Sequence, residues 1–316
     1  MRIEYHRTLI ADRVRLEAFK AALTVLIRPG ESVVCDIGTG TGILAFLASR
    51  LGARKVYAYE GAEIGAVAEK LRSHNRLRNV EMIAGRSTEV IDPPRADIVV
   101  SETLGNYALE EFLVETMNDA RLRHLKPGGV LLPGAVEQHA CPVTSSRLRD
   151  ELCIWDQVGD GLGIGLDLGP ARVMSLNNAY VRGFAATDLL DRGKAGLRWD
   201  HLDFSQRNRL ARRGTLAWTM RRAVTVHGLA LWWTASLGPA VRLTTSPLAA
   251  PTHWEQLFLP TLEPISLAAG EQLIAEVSSR SSEVGGTDIA WSFAAKDAAG
   301  RQYQQQALSL AKGFVP

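Results

Sequence analysis

Cysteine is scarce in this chain of 316 residues: Cys35, Cys141 and Cys153 are the only three, and their spacing matches no metal-ligand pattern. Neither a disulfide framework nor a zinc site is therefore expected, and no metal is. Cys35, inside an apolar run, is expected simply to pack. Charge of one sign is missing as well. Thirty-six basic and 34 acidic side chains leave a net charge of +2, so no broad field argues for nucleic acid. The basic clusters RLARRG and MRRAV are short and read as solvated faces or strand edges. No apolar run approaches the length that spans a bilayer, and Arg2, Glu4 and Arg7 stand where a secretory signal needs an apolar core. No membrane association is expected, and the location expected is cytoplasmic. Internal repeats and a low-complexity tail are absent too. What is present is enough chain for two domains with a large core.

The organisation changes near residue 142. Before it, strand-like runs (VVCDI, YAYE, VEMIAG, ADIVVSE, GGVLLPG) alternate with helical ones and predict a doubly wound α/β sheet of Rossmann type over residues 1–141. After it, helix signals fade. Short strands separated by Gly, Pro and Ser turns suit an antiparallel β-barrel-like domain over 142–316. Residues 151–185 form a Gly-rich insertion with an apolar, aromatic start.

The first strand ends VVCDIGTGTG (33–42), turning through Gly38, Gly40 and Gly42 into a helix. Glycine is required where a backbone turns sharply and a ligand approaches with no Cβ in the way. The pattern departs from the dinucleotide fingerprint GxGxxG at Ile43. Asp36 before the loop would repel a pyrophosphate and attract an ammonium or a sulfonium. The next strand ends in Glu60, followed by Gly61, and its carboxylate is placed to accept from both hydroxyls of a ribose. Strand, glycine turn, helix, strand and acid in this order predict S-adenosylmethionine as the cofactor.

Glu102 and Glu111, nine residues apart in SETLGNYALEE, follow the strand ADIVVS. Glu102 is expected at the carboxyl edge of the sheet, where open α/β sheets place ligands, and Glu111 in the first turn of the following helix. Two converging carboxylates suit a planar cation such as a guanidinium. The plainer reading is a loop glutamate and a helix-start glutamate favoured by the helix dipole. Upstream, Ile3, Leu9, Ile10, Val14, Phe19, Leu23 and Leu26 recur at helical spacing, which places Asp12 and Arg15 as neighbours on one helix.

Together with PTHWEQ at 251–256, these motifs resemble the protein arginine methyltransferases over essentially the whole chain. The resemblance implies a catalytic set of Glu102, Glu111, His253 and Asp12. The two glutamates would hold the substrate guanidinium, with Trp254 beside it, and Asp12 would pair with His253 across the domains. Arg15 would take the methionine carboxylate of the cofactor. Asp36, Gly38, Gly40, Glu60, Gly61, Ser87 and Thr88 complete the cofactor site, with Ser87 and Thr88 where an acid often contacts the adenine amino group. Residues 151–185 would be a dimerisation arm, giving a homodimer. The partner would be an arginine-containing protein or peptide, or a guanidino small molecule.

Three departures from the family stand out. Only five residues precede His6, whereas members that methylate proteins carry an aromatic helix there. Thr103, Leu104 and Asn106 replace bulkier residues in the acidic loop. Ser87 and Thr88 replace an acid. These leave open methylation of another amine or hydroxyl in a small metabolite or natural-product peptide. A catalytically weak, cofactor-binding interaction protein is the remaining alternative.

Overall fold

The computed structural model describes residues 3–161, 163, 165–282 and 286–313. The chain opens with α1 (Ile3–Ala11) and α2 (Arg13–Leu26). The apolar spacing predicted one helix over this stretch, but it breaks at Asp12. That residue leaves the helical region (φ −72°, ψ 95°) and its Oδ1 accepts the Arg15 N–H at 2.9 Å. A short carboxylate satisfies an unpaired N–H at a helix start better than it propagates a helix, so Asp12 begins α2 instead of facing Arg15 along it.

An alternating series follows: β1 (Val33–Ile37), α3 (Ile43–Arg50), β2 (Lys55–Glu60), α4 (Gly65–His74), β3 (Val80–Ala84), β4 (Ala96–Val100), α5 (Leu113–Arg123) and β5 (Leu125–Leu132). The five strands pair in parallel in the order β3-β2-β1-β4-β5. Every residue of β1 is buried, as expected of a central parallel strand covered on both faces. The strand order reverses between β1 and β4. Open α/β sheets form a ligand crevice at that reversal, at the carboxyl ends of the strands, and both the glycine turn and Glu102 lie there.

The antiparallel part starts with β6 (Ala135–Val143), which pairs with two strands of the second domain. The boundary expected between 141 and 142 therefore falls inside a strand. Pro133 and Gly134 alone separate β5 from β6, and a period-two pattern does not reveal which sheet a strand joins. After β6 come α6 (Arg147–Leu152), α7 (Ile154–Gly161), α8 (Gly169–Leu176) and β7 (Tyr180–Arg182), then β8 (Leu197–Asp203), β9 (Ala211–Thr219), β10 (Val224–Ser236) and β11 (Arg242–Thr244). The last four strands are β12 (Gln256–Leu267), β13 (Gln272–Ser282), β14 (Gly286–Lys296) and β15 (Gln302–Ser309). One sheet runs β7-β12-β10-β6-β8 with β11 on β10, and the other runs β15-β14-β13-β9. Trp233, Trp291, Phe258 and Phe293 of these sheets are among the largest fully buried side chains.

The insertion expected at 151–185 contains α7 and α8. Leu162 and Ile164 of that insertion lie outside the described residues. Ile154, Trp155 and Val158 of α7 remain exposed. Among the described residues no helix is long and apolar enough to cross a membrane.

Candidate active site

A cavity of about 750 Å³ opens at the β1/β4 crevice, walled by the glycine turn, α1, the start of α5 and His253. Gly38, Gly40 and Gly42 all have positive φ, 72°, 58° and 87°, and a side chain at Gly42 would strike the Phe46 ring. Glu60 ties the turn to β2. Its Oε2 accepts the Gly40 N–H at 2.7 Å and its Oε1 the Ala62 N–H at 2.8 Å. A carboxylate oxygen has a second lone pair, so Glu60 keeps acceptor capacity toward the cavity it lines. Gly61, Ser87 and Thr88 line the same cavity.

Asp36 does not line it. Its Oδ2 accepts from the Thr39 hydroxyl at 2.5 Å and the Ala45 N–H at 3.0 Å, holding the glycine turn against α3. Burial pushes its carboxyl up to about 6, against the lowering effect of those two donors. The sequence reading placed Asp36 opposite a sulfonium. It is fully enclosed, because β1 is a central strand and Asp36 points into the protein beneath the turn.

The acidic loop brings Glu102 and Glu111 to the cavity and leaves them in different states. Glu102 is buried, its side chain 6 % exposed, and burial raises its carboxyl to about 7 even though Arg15 pulls it down. Glu111 is exposed at the cavity wall, outside the helix expected to contain it. α5 starts at Leu113, and Glu111 and Phe112 take left-handed φ of 55° and 60°. Such conformations cost free energy for residues with a Cβ and persist where the surroundings impose them. The carboxyl of Glu111 is also raised, by desolvation and then by the charges of Glu110 and Glu60.

Arg15 lines the cavity, yet its guanidinium is engaged within the protein. Nε donates to Glu102 Oε2 at 2.6 Å, a second nitrogen contacts the same oxygen, and Nη1 donates to the Leu9 carbonyl at 3.1 Å. Asp12 joins the two domains. Its Oδ2 accepts both the His253 backbone N–H at 2.8 Å and the ring Nδ1 at 2.7 Å. Burial pushes the Asp12 carboxyl up, but the Arg15 and His253 donors outweigh it and hold it below the usual range. His253 moves down: burial outweighs the neighbouring carboxylate, which alone would raise it. An anionic Asp12 beside a neutral imidazole assigns the ring hydrogen to Nδ1 and leaves a lone pair on Nε2. That Nε2 is buried without a hydrogen-bond partner among the described residues.

Trp254 was expected at the substrate and is instead in the core, 4 % exposed. Its indole N–H donates to the Leu104 carbonyl at 2.8 Å, and that of Trp233 to the Gly105 carbonyl at 3.0 Å. The two rings meet edge to face at 5.0 Å. Tyr107 donates to Ser279 Oγ at 2.7 Å, and Asn106 Oδ1 accepts the Glu255 N–H at 3.0 Å. Side chains of the second domain thus fix the backbone of the acidic loop, a role that tryptophan beside histidine in sequence does not reveal.

Residues 136–297, more than half the chain, match the family model described as the arginine methyltransferase oligomerization subdomain. The chain belongs to the protein arginine methyltransferase family. Residues 17–151 also match a model described as ribosomal protein L11 methyltransferase. Protein arginine N-methyltransferase 6 of Xenopus tropicalis is 27 % identical over 89 % of this chain and 85 % of its own length. A probable protein arginine N-methyltransferase 3 of Arabidopsis thaliana is 32 % identical over 85 % of this chain, which spans 48 % of it. Among solved structures, the Trypanosoma brucei PRMT1 enzyme–prozyme heterotetramer with AdoHcy superposes with a TM-score of 0.84 at 23 % identity, covering 97 % of this chain and 98 % of its own. Arabidopsis thaliana protein arginine methyltransferase 10 gives 0.80 at 23 % identity, with 98 % of each chain covered. The parallel sheet followed by antiparallel, barrel-like sheets is the two-domain fold of this family.

Several cavity residues escaped the sequence reading. Tyr5 and His6 line it with Leu9 and Ile10, one face of α1. Tyr5 has its hydroxyl pKa raised by burial and then by Glu111, Glu102 and Glu110. The helical spacing of these residues was visible, but an apolar helix face usually signals core. Phe112, Glu115 and Thr116 line the cavity from the start of α5, and their i, i+3, i+4 spacing after Glu111 was the available signal.

Proposed function

We propose that this protein transfers a methyl group from S-adenosylmethionine to a guanidino nitrogen of an arginine side chain in a protein or peptide. The observation that carries this reading is that Glu102 and Glu111 line one cavity with the glycine turn and His253. The buried Glu102 is already shown to accept a guanidinium, that of Arg15. The printed names of the relatives support it, since they are protein arginine N-methyltransferases.

The cavity suits the donor. Gly40 packs beside His6, so that a Cβ there would stand 3.5 Å from the imidazole. His6 and Glu115 line it with Arg15 and Glu60, so its wall carries polar and charged side chains. In this reading Glu60 holds the ribose, the Gly38–Gly40 turn admits the donor's backbone, and Arg15 takes its carboxylate. The donor's sulfonium supplies the electrophilic methyl group.

The residues of the chain make the nitrogen attack. A guanidinium is a poor nucleophile because its charge is delocalised, and its pKa is about 12.5–13.8. Glu102 and Glu111 draw positive charge onto the nitrogens they contact, leaving the attacking nitrogen's lone pair less delocalised. Holding it in line at roughly 3–3.5 Å supplies much of the remaining acceleration. As the N–C bond forms, the S–C electron pair stays on sulfur and the product nitrogen must lose a proton. In this reading the proton passes to a base of the site, which holds Glu102, Glu111 and His253, the last with its tautomer fixed by Asp12.

A homodimer formed through α7 belongs to the same reading. It is supported by the exposed Ile154, Trp155 and Val158 and by the oligomerization subdomain match. A cytoplasmic location is supported by the buried free thiols Cys35 and Cys141. The test is incubation with methyl-labelled S-adenosylmethionine and matched peptides carrying arginine, lysine or citrulline. Label in the arginine peptide alone is the expected result, and equal labelling of the lysine peptide would overturn the assignment.

A further inference from the structure

Glu111 and Phe112 stand in the left-handed region, with φ of 55° and 60°, between the acidic loop and α5. Two consecutive residues with a Cβ keep such a conformation only where the surrounding structure over-determines it. Contacts able to do this come from the second domain. Thr287 Oγ1 donates to the Leu109 carbonyl at 3.3 Å, just before Glu111, and Ser281 Oγ donates to Glu115 Oε1 at 2.7 Å, in the first turn of α5.

The two donors form one unit. Ser281 of β13 and Thr287 of β14 are paired directly across the antiparallel ladder, and side chains opposite each other in such a pair lie close together on one face. Ser279, the next residue of β13 on that face, accepts from the Tyr107 hydroxyl at 2.7 Å. The frame behind them is fixed as well. The Ser281 N–H donates to the Leu210 carbonyl at 3.2 Å, and Asn208 in the same loop exchanges two bonds of 2.9 Å with Asn118 of α5. One rung of the second domain thus holds residues 109–115 at both ends, and between the ends Glu111 reaches the cavity wall.

We propose that Ser281 and Thr287 are positioning residues for methyl transfer, acting through Glu111 by holding its carboxylate where the substrate guanidinium meets it. Neither hydroxyl belongs to a residue that lines the cavity, so any effect on turnover passes through the segment they hold. This inference rests on the arginine reading above and adds to it a requirement placed on the second domain.

Steady-state kinetics of the full chain with an arginine peptide, beside calorimetry with S-adenosylhomocysteine, test it. Ser281→Ala and Thr287→Val should each lower kcat at least about fivefold, the scale of one hydrogen bond. Affinity for S-adenosylhomocysteine should stay within about twofold of the wild type, a change smaller than one lost hydrogen bond gives. Thr287→Ser keeps the hydroxyl and should keep wild-type kcat. If Ser281→Ala does not fold, the two Thr287 variants carry the test, since Thr287 is only half-buried. Variants with wild-type kcat, a loss of kcat matched by an equal loss of donor affinity, or Thr287→Ser as slow as Thr287→Val would overturn the proposal while leaving the arginine reading intact. Wild-type protein that methylates no arginine peptide would overturn both.

Discussion

Arg15 donates from Nε to Glu102 at 2.6 Å with both side chains buried, so the acid assigned to a substrate guanidinium already holds one from its own chain. Binding of an anionic group to Arg15 would free charge on Glu102. In the proposed reading the cofactor and substrate sites are coupled through one ion pair. A buried pair is costly to break by removing one partner, but replacing carboxylate by amide leaves a hydrogen-bond acceptor. Glu102→Gln is expected to lower turnover at least about a hundredfold, the scale of losing one electrostatic stabiliser. Affinity for S-adenosylmethionine should be unchanged or higher, because Arg15 is released. Titration calorimetry beside steady-state rates checks both, and near-wild-type turnover would remove Glu102 from the chemistry.

Glu60 tests the donor site separately. Glu60→Ala is expected to weaken S-adenosylmethionine binding by about 1–3 kcal/mol, since a charged acceptor is lost and the Gly40 and Ala62 N–H groups lose their partner. Unchanged affinity would take Glu60 out of the cofactor site.

Asp12 and His253 are 241 residues apart and meet at 2.7 Å. Each single alanine variant should impair turnover, and the double variant should be little worse than the poorer single, because groups acting as a unit are not additive. Losses that multiply would show that the two act independently.

Acid pH should switch the enzyme off through Glu102. Burial raises its carboxyl to about 7, so kcat/KM should rise with pH through that region and fall about tenfold per unit below it. Burial shifts His253 in the opposite direction, and Glu102→Gln, which keeps His253, separates the two. The sign for stability is opposite. A carboxyl raised on folding binds its proton more tightly in the folded state, so its contribution is lost as pH rises from the ordinary carboxylate range through about 7. A pH–rate profile without an inflection near 7, or one preserved in Glu102→Gln, would contradict the assignment.

Trp254→Phe keeps most of the buried ring and removes the donor to the Leu104 carbonyl. The buried carbonyl left unpaired should cost about 1–3 kcal/mol of stability. Turnover should fall more than donor affinity does, because the loop bearing Glu102 and Glu111 loosens. A denaturant melt and binding measured on one preparation distinguish this from a direct substrate contact, which would raise KM without lowering stability.

Much of this was legible in the sequence. The parallel sheet followed from apolar runs separated by helical ones, the glycine turn from its spacing, and the place of Glu102 and Glu60 on the cavity from carboxylates at strand ends. Less legible was what depends on three-dimensional enclosure. Asp36 and Glu60 are both acids after strands, but only Glu60 faces the cavity, because β1 is central and covered. The downward shift of His253 was not legible either, because a neighbouring carboxylate is visible in a motif and burial is not. Trp254 looked like a substrate contact, and only the fold shows its indole N–H turned to the Leu104 carbonyl. Arg15 and Glu102, 87 residues apart, gave no sequence signal of pairing with each other.

The most direct test of the central claim is tandem mass spectrometry of an arginine-containing peptide after incubation with the wild-type protein and methyl-labelled S-adenosylmethionine. The label should appear on a guanidino nitrogen of arginine and vanish with Glu111→Gln, which spares the folded core because Glu111 is exposed. Label on another nucleophile, or labelling of arginine that survives loss of the Glu111 charge, would contradict the account.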